Sequence, residues 1–389
     1  MRFVITGGGT AGHINPALAV AEELSQRGHE VLFAGTPSGL EATLAPKAGL
    51  PYQAFSASGF DRARPTTLIS SSVTIARSAC QARRWLKRLQ SDAVIGFGGY
   101  VSIPVGLAAS WSGVPLIIHE QNSAAGLANR FLARKAAAIA LTYPQAQAGL
   151  KTTRTVHITG NPVRPSLLGI SREEARQKLG VGEDAQMLLV FGGSLGAQHI
   201  NQALLSQAKT LMERPDLHVY HITGTRDFKT TYDKLALQFA AVETDRTDVS
   251  ICEDICSATV NARWHLESYC NRMGEVLAAA DVVISRAGAT SLAEISAIAV
   301  PALLVPYPYA TDDHQTTNAK AMVESGAALM IRDSELDSPR FSELMMELLN
   351  SSRLRDTMKQ AARVSGSANA TVAVAELAIA AAKSDAMPD

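Results

Sequence analysis

This chain lacks an excess of charge of either sign: over 389 residues, 36 Lys and Arg balance 36 Asp and Glu. Whole-molecule attraction to nucleic acid is thereby excluded, and any basic face must be local. Cysteine is scarce. Cys80, Cys252, Cys256 and Cys270 contain no CxxC pair, so the sequence indicates neither a disulfide scaffold nor a metal site. A reducing cytoplasm is the simplest compartment for such usage. No apolar run approaches the ~18–20 residues needed to span a bilayer. Strand-like sequence already begins at Phe3, which argues against a signal peptide. The expectation is a protein without membrane spans, at most seated on a membrane surface.

What is present is an alternation. The hydrophobic share of 47% suits a folded chain with a large core, and the length suggests two domains. Strands are expected at Phe3–Ile5, Val31–Phe33, Ala93–Ile95, Leu116–His119, Ala138–Leu141 and Val156–Thr159. After "GNPVRP" (Gly160–Pro165), read as an extended interdomain linker, they resume at Met187–Phe191, Leu217–Ile222, Val282–Ser285, Ala302–Val305 and Ala328–Ile331. Amphipathic segments lie between them, such as Pro16–Arg27, with Pro16 as helix opener and Gly28 as terminator. Continuous apolar strands alternating with helices predict parallel sheets covered on both faces. "FVITGGGTAGHINPAL" near the start resembles "LLVFGGSLGAQHINQAL" from Leu189, so the expected fold class is α/β, with two Rossmann-like doubly wound domains facing across a cleft. The repeat needs a two-residue gap, so His199 does not take the place of His13. The boundaries are 1–162, joined by a C-terminal helix 368–383, and 163–367. The polar segment Ala241–Trp264 is expected to be a surface excursion.

Three glycine turns follow strands: Gly7–Gly12, Gly96–Gly99 and Gly192–Gly196. Glycine permits positive φ and close approach of backbone N–H groups to an anion, and a following helix adds the positive end of its dipole. Tight strand–helix packing also needs glycine. Gly7, Gly9 and Gly12 formally satisfy the dinucleotide pattern G-x-G-x-x-G, but the second strand runs into Ala34-Gly35-Thr36 with no carboxylate before Glu41. The dinucleotide match is therefore poor. In "SRAGATSLAEISA", Glu294 falls on a helix where it either accepts ribose hydroxyls or is a solvated glutamate.

"GGGTAGHINPA", "GGYVSIP", "HEQNSAAGLANR", "GNPVR", "GGSLGAQHIN", "SRAGATSLAE" and "DDHQTTNA" occur in this order between residues 7 and 319. Together they resemble the motifs of the MurG family. The resemblance implies a GT-B fold and an inverting, metal-independent transfer of N-acetylglucosamine from UDP-GlcNAc to undecaprenyl-linked lipid I, giving lipid II for peptidoglycan. It implies that Thr10, Ala11 and Gly12 line the sugar-nucleotide cleft and that Asn122 and Gln315 reach the donor sugar. Arg164 and Ser194 approach the nucleotide and its phosphates. Ala289, Thr290, Ser291, Leu292, Ala293 and Glu294 wrap the donor, with Glu294 on the ribose, and backbone near Cys270 meets uracil. Asn129, Asn201 and Arg286 fall on motif positions without an assigned role.

No D-x-D motif suited to a metal–diphosphate site appears, so no cofactor is expected, the "GGSLG" loop and its helix N-terminus serving the departing diphosphate. His13, at a helix start whose dipole disfavours imidazolium, is the candidate general base, with Glu120 as runner-up. Residues 68–88 carry Leu68, Ile69, Val73 and Trp85 with Arg77, Arg83, Arg84, Lys87 and Arg88 and no acid. They are either a solvated helix face or a docking face for the anionic cytoplasmic side of the bacterial plasma membrane. Other cell-wall synthesis proteins are conceivable partners, and nucleic acid is not. The competing classes are a UDP-GlcNAc 2-epimerase-like enzyme, a dehydrogenase and a non-catalytic sugar-nucleotide binder.

Overall fold

The structure, a computed structural model, describes residues 1–57, 67–193, 196–239, 248–252, 255–310, 313–365 and 369–384, with backbone alone at 67–71, 248–252, 255 and 365. The chain divides into two compact units, Met1–Pro165 with Ser367–Asp389, and Ser166–Gly366.

In the first unit the strands are β1 (Arg2–Thr6), β2 (Glu30–Gly35), β3 (Tyr52–Ala54), β4 (Ala93–Gly96), β5 (Leu116–Glu120), β6 (Ala138–Leu141) and β7 (Val156–Ile158). Among the described residues they form one parallel sheet in the order β3-β2-β1-β4-β5-β6-β7. Phe3, Val4 and Ile5 are all buried, as a strand covered on both faces requires. The helix Ala11–Gln26 turns Ile14, Ala17, Leu18, Ala21 and Leu24 inward, the spacing of one helical face. The C-terminal helix Ala370–Ser384 adds Val374, Ala375, Ala378 and Ala382 to the same core, where they join Phe3, Ile5 and Leu24.

The second unit holds β8 (Gln186–Phe191), β9 (Leu217–Ile222), β10 (Asp248–Cys252), β11 (Ile255–Val260), β12 (Trp264–Glu267), β13 (Val282–Ser285), β14 (Ala302–Leu304) and β15 (Ala328–Met330). Their order is β10-β11-β12-β9-β8-β13-β14-β15 among the described residues. The run from β12 to β15 is parallel, while β11 pairs antiparallel with both β10 and β12.

Three expectations are corrected. The segment read as a surface excursion contributes β10, β11 and the start of β12, and Trp264 is fully buried in the core beside Val219 and Leu266. Alternating residues such as Trp264-His-Leu-Glu267 form a half-polar strand between β11 and β9, which a search for continuous apolar runs passes over. The first helix begins at Ala11, so Pro16 lies inside it rather than at its start. Pro165, read as part of an extended crossing, instead opens the short helix Pro165–Leu168, a position its fixed φ favours.

Each strand order reverses once beside its first strand: between β1 and β4 in one sheet, between β8 and β13 in the other. The three glycine loops leave the carboxyl ends of β1, β4 and β8, and the loop Arg286–Gly288 leaves that of β13. Such switch points are where open α/β sheets admit ligands.

Candidate active site

In the first unit the loops after β1 and β4 interlock backbone to backbone. Gly99 adopts φ +74°, and any Cβ there would collide with the Gly8 carbonyl. Gly98 adopts φ +89°, and a Cβ would stand 3.2 Å from His13 Cδ2 and 3.4 Å from both His13 Nε2 and Asn129 Nδ2. The absence of a side chain at Gly98 is thus what admits the His13 ring. His13 is half-buried in the first turn of its helix, after the exposed N-cap Thr10 and half-exposed Ala11 and Gly12. Thr10 Oγ1 and His13 Nδ1 share a hydrogen bond of 3.1 Å.

The carboxylate missing from the end of β2 has a different employment. Glu41 is 0% exposed and accepts hydrogen bonds from Thr36 N (3.1 Å), Thr36 Oγ1 (2.6 Å) and Gly9 N (3.3 Å). It is sealed under the first glycine loop, out of reach of any ribose.

Glu120, the runner-up base, ends β5 and is 2% exposed. Its Oε1 accepts from Asn122 N at 3.1 Å and Asn122 Nδ2 at 3.4 Å. Its Oε2 accepts from Gly126 N at 2.9 Å and Asn129 Nδ2 at 2.8 Å. With both oxygens bound by its own loop, Glu120 is a clasp for the "HEQN" turn, and a proton acceptor's lone pairs are already committed. Asn129 belongs to that clasp and also donates to the His119 carbonyl at 3.0 Å. His119 is fully buried, bonded to the Gly160 carbonyl at 2.9 Å, and burial lowers its pKa to about 4. It ties β5 to the "GNPVR" segment as a neutral ring. Arg164 in that segment is half-buried, and its Nε is enclosed without a hydrogen-bond partner among the described residues.

In the second unit the loop after β8 leads to the helix Gln198–Ser206, whose N-cap Ala197 has no side chain able to cap it. The first helical N–H groups therefore receive no cap from the N-cap side chain. Gly196 (φ +75°) packs against the Thr223 carbonyl. Asn201 fixes this helix by donating to the Thr223 carbonyl at 3.0 Å, and its Oδ1 pairs with His221 Nε2 at 2.9 Å. Ser194 lies outside the described residues.

The loop after β13 enters the helix Ala289–Ile298. Glu294 is 8% exposed, which removes the reading as a solvated helix glutamate. Thr290, Ser291 and Ala293 are half-exposed, while Ala289 is buried and Leu292 belongs to the apolar core, so a ligand can meet only backbone at Leu292. Gln315 Oε1 accepts from Ala287 N (3.1 Å) and Tyr307 N (3.0 Å), which leaves its Nε2 as the end able to donate to a hydroxyl. Arg286 is buried, pairs with Asp333 at 2.5 Å and stacks over Tyr307. It is a brace between loops. Cys270 packs against the same apolar core as Leu292, beside Glu267 and Arg272, and burial with the nearby carboxylate pushes its thiol up to about 12, so it is no nucleophile.

Two family models match in tandem: the glycosyltransferase family 28 N-terminal domain over residues 3–141 and the corresponding C-terminal domain over residues 187–375. A Halothermothrix orenii protein is 39% identical over 94% of this chain and 95% of its own length, and one from Moorella thermoacetica is 38% identical over 97% and 98%. Both are named as UDP-N-acetylglucosamine–N-acetylmuramyl-(pentapeptide) pyrophosphoryl-undecaprenol N-acetylglucosamine transferases. This chain belongs to the MurG family. The crystal structure of Acinetobacter baumannii MurG matches with TM-score 0.72 at 31% identity, covering 97% of this chain and 99% of that one. A Listeria monocytogenes structure, a putative UDP-N-acetylglucosamine 2-epimerase, matches at TM-score 0.66 but 15% identity, a likeness of fold alone. MurG family membership thus fixes a GT-B glycosyltransferase and sets the dehydrogenase reading aside. Within this MurG framework the sequence reading missed two buried carboxylate clasps, Glu41 and Glu120. The signal for the first was glycine at 8, 35 and 39, three positions that look unrelated until the sheet brings them together.

Proposed function

We propose that this protein moves N-acetylglucosamine from UDP-GlcNAc to the 4-hydroxyl of the MurNAc unit of lipid I, producing lipid II and UDP with inversion at the anomeric carbon. The observation that carries the site assignment is the seating of His13. Its ring stands against Gly98 where the loops after β1 and β4 meet, in a chain that matches such transferases over nearly its whole length.

His13 removes the hydroxyl proton as the anomeric bond forms. A histidine whose Nδ1–H donates to Thr10 Oγ1 has Nε2 as its acceptor nitrogen, and the Glu120 clasp leaves His13 the better placed of the two candidates. Charge grows on the leaving diphosphate. The N-terminus of helix Gln198–Ser206 meets it with fixed N–H donors that need no reorganisation, with Ser194 and Arg164 as further contacts. Glu294 binds the ribose hydroxyls, Gln315 Nε2 and Asn122 the sugar, and the backbone beside Cys270 the uracil. Thr10, Ala11 and Gly12 complete the donor's surroundings.

The acceptor is bound to a bilayer, so the enzyme works at the cytoplasmic face of the plasma membrane. No helix among the described residues is long and apolar enough to cross a membrane. Docking is assigned to helix Thr67–Leu89, whose Arg77, Arg83, Arg84, Lys87 and Arg88 are exposed together with Val73. Trp85 is not part of the docking surface: it packs edge-on to Phe55 at 5.5 Å on the core side. The side chains of Leu68 and Ile69 lie outside the described residues. Incubation with UDP-GlcNAc and a lipid I analogue tests the reading. UDP release that depends on the analogue supports it, and release without any acceptor rejects it.

A further inference from the structure

We infer that Glu41 is the internal carboxyl clasp of the first glycine loop and the positioning residue for His13, an inference that rests on the transfer reading above. The carboxylate lies at the start of helix Glu41–Lys47 and is enclosed by segments distant in sequence. Thr36, just after β2, gives it two donors, and Gly9, after β1, gives a third. The enclosure is built from glycine. A Cβ on Gly8 would lie 2.6–2.8 Å from the carboxylate atoms, one on Gly35 would lie 2.5 Å from Glu41 Cγ, and Gly39 leaves no more room. Tyr52 closes the side by donating its hydroxyl to the Thr36 carbonyl at 2.6 Å. A buried carboxylate survives only when its donors are supplied, and the donors in turn stay where the carboxylate holds them.

The consequence runs along three residues. Gly9, at φ +85°, is directly bonded to Thr10, the N-cap of the helix that carries His13. Thr10 Oγ1 then holds His13 Nδ1. The path from carboxylate to imidazole is one hydrogen bond, one peptide link and a second hydrogen bond. Glu41 touches no substrate, being 0% exposed, so it acts through the ring it places.

The test uses the full chain with Glu41→Gln, which keeps the shape, and Thr36→Val, which removes one donor. The ring 15N shifts of the nine histidines are recorded alongside steady-state kinetics with UDP-GlcNAc and a lipid I analogue. The expected result for Glu41→Gln is a moved His13 ring signal with the other histidines unchanged, kcat at least tenfold lower and the donor KM within about twofold. Thr36→Val should give a smaller change of the same kind. A folded Glu41→Gln chain with an unaltered His13 spectrum overturns the inference whatever its turnover. A fall in kcat matched by a rise in donor KM overturns it as well, because general loss of structure accounts for both. If the wild type releases no UDP, the transfer reading fails, and the ring shifts still decide the coupling of Glu41 to His13.

Discussion

At His13 one ring nitrogen is shared with Thr10 Oγ1, so the tautomer decides which nitrogen accepts a proton. Removing the ring leaves the residues proposed to bind the donor in the second unit untouched. His13→Ala should therefore lower turnover at least about a hundredfold, within the range of a general base, while UDP-GlcNAc affinity by calorimetry stays within a few-fold. Near-normal turnover would reject the assignment. Glu294 is proposed to hold the donor's ribose. Loss of charge-assisted hydrogen bonds to ribose should cost roughly 1.5–3 kcal/mol, or about ten- to a hundredfold in donor affinity. A Glu294→Ala chain with unchanged affinity would show that its buried carboxylate serves only the fold. The positions of His13 and Glu294 beside glycine turns were legible in the sequence, while the roles proposed for them came from the family resemblance. Glu41 and Glu120 were not, since what defines them is a set of backbone N–H groups from loops, and a sequence does not display where loop amides point.

Among the elements, helix Thr67–Leu89 shows how one amphipathic pattern serves two ends. Ala79, Ala82 and Leu86 are fully buried, so half of the stretch is core, and the basic residues occupy the opposite side. Each exposed cation near an anionic leaflet contributes about 1 kcal/mol. A chain with Arg83, Arg84, Lys87 and Arg88 changed to Gln should lose co-sedimentation with anionic vesicles at low salt. Wild-type binding should fade as the Debye length shrinks from ~10 Å at 0.1 M to ~3 Å at 1 M. Equal binding by both chains would remove this helix from the docking surface. Strands buried on both faces, such as Val282–Ser285, announced themselves as unbroken apolar runs. The three-residue β3 and the hairpin of β10 and β11 did not, because a short or alternating edge strand carries little hydrophobic signal of its own.

Over the whole molecule, each unit contains one fully buried neutral histidine: His119, with its pKa lowered to about 4, and His221, lowered to about 3, both chiefly by desolvation. Below the ordinary value of 6.5 the unfolded chain takes up protons that the native rings refuse. Stability should therefore fall with pH by about 1.4 kcal/mol per unit for each histidine, until the native rings themselves protonate. Urea midpoints at pH 7 and pH 5 check this; equal midpoints would mean that these rings are accessible in the native state. The helix Ala370–Ser384 has a consequence in time rather than in space. It supplies Val374 and Ala378 to the core of a unit whose last strand ends at Ile158, so synthesis of the intervening unit separates the two halves of that core. At ~5–20 residues per second, the ribosome needs roughly 10–40 s to make the intervening residues. During that interval Phe3, Ile5 and Leu24 lack part of their cover.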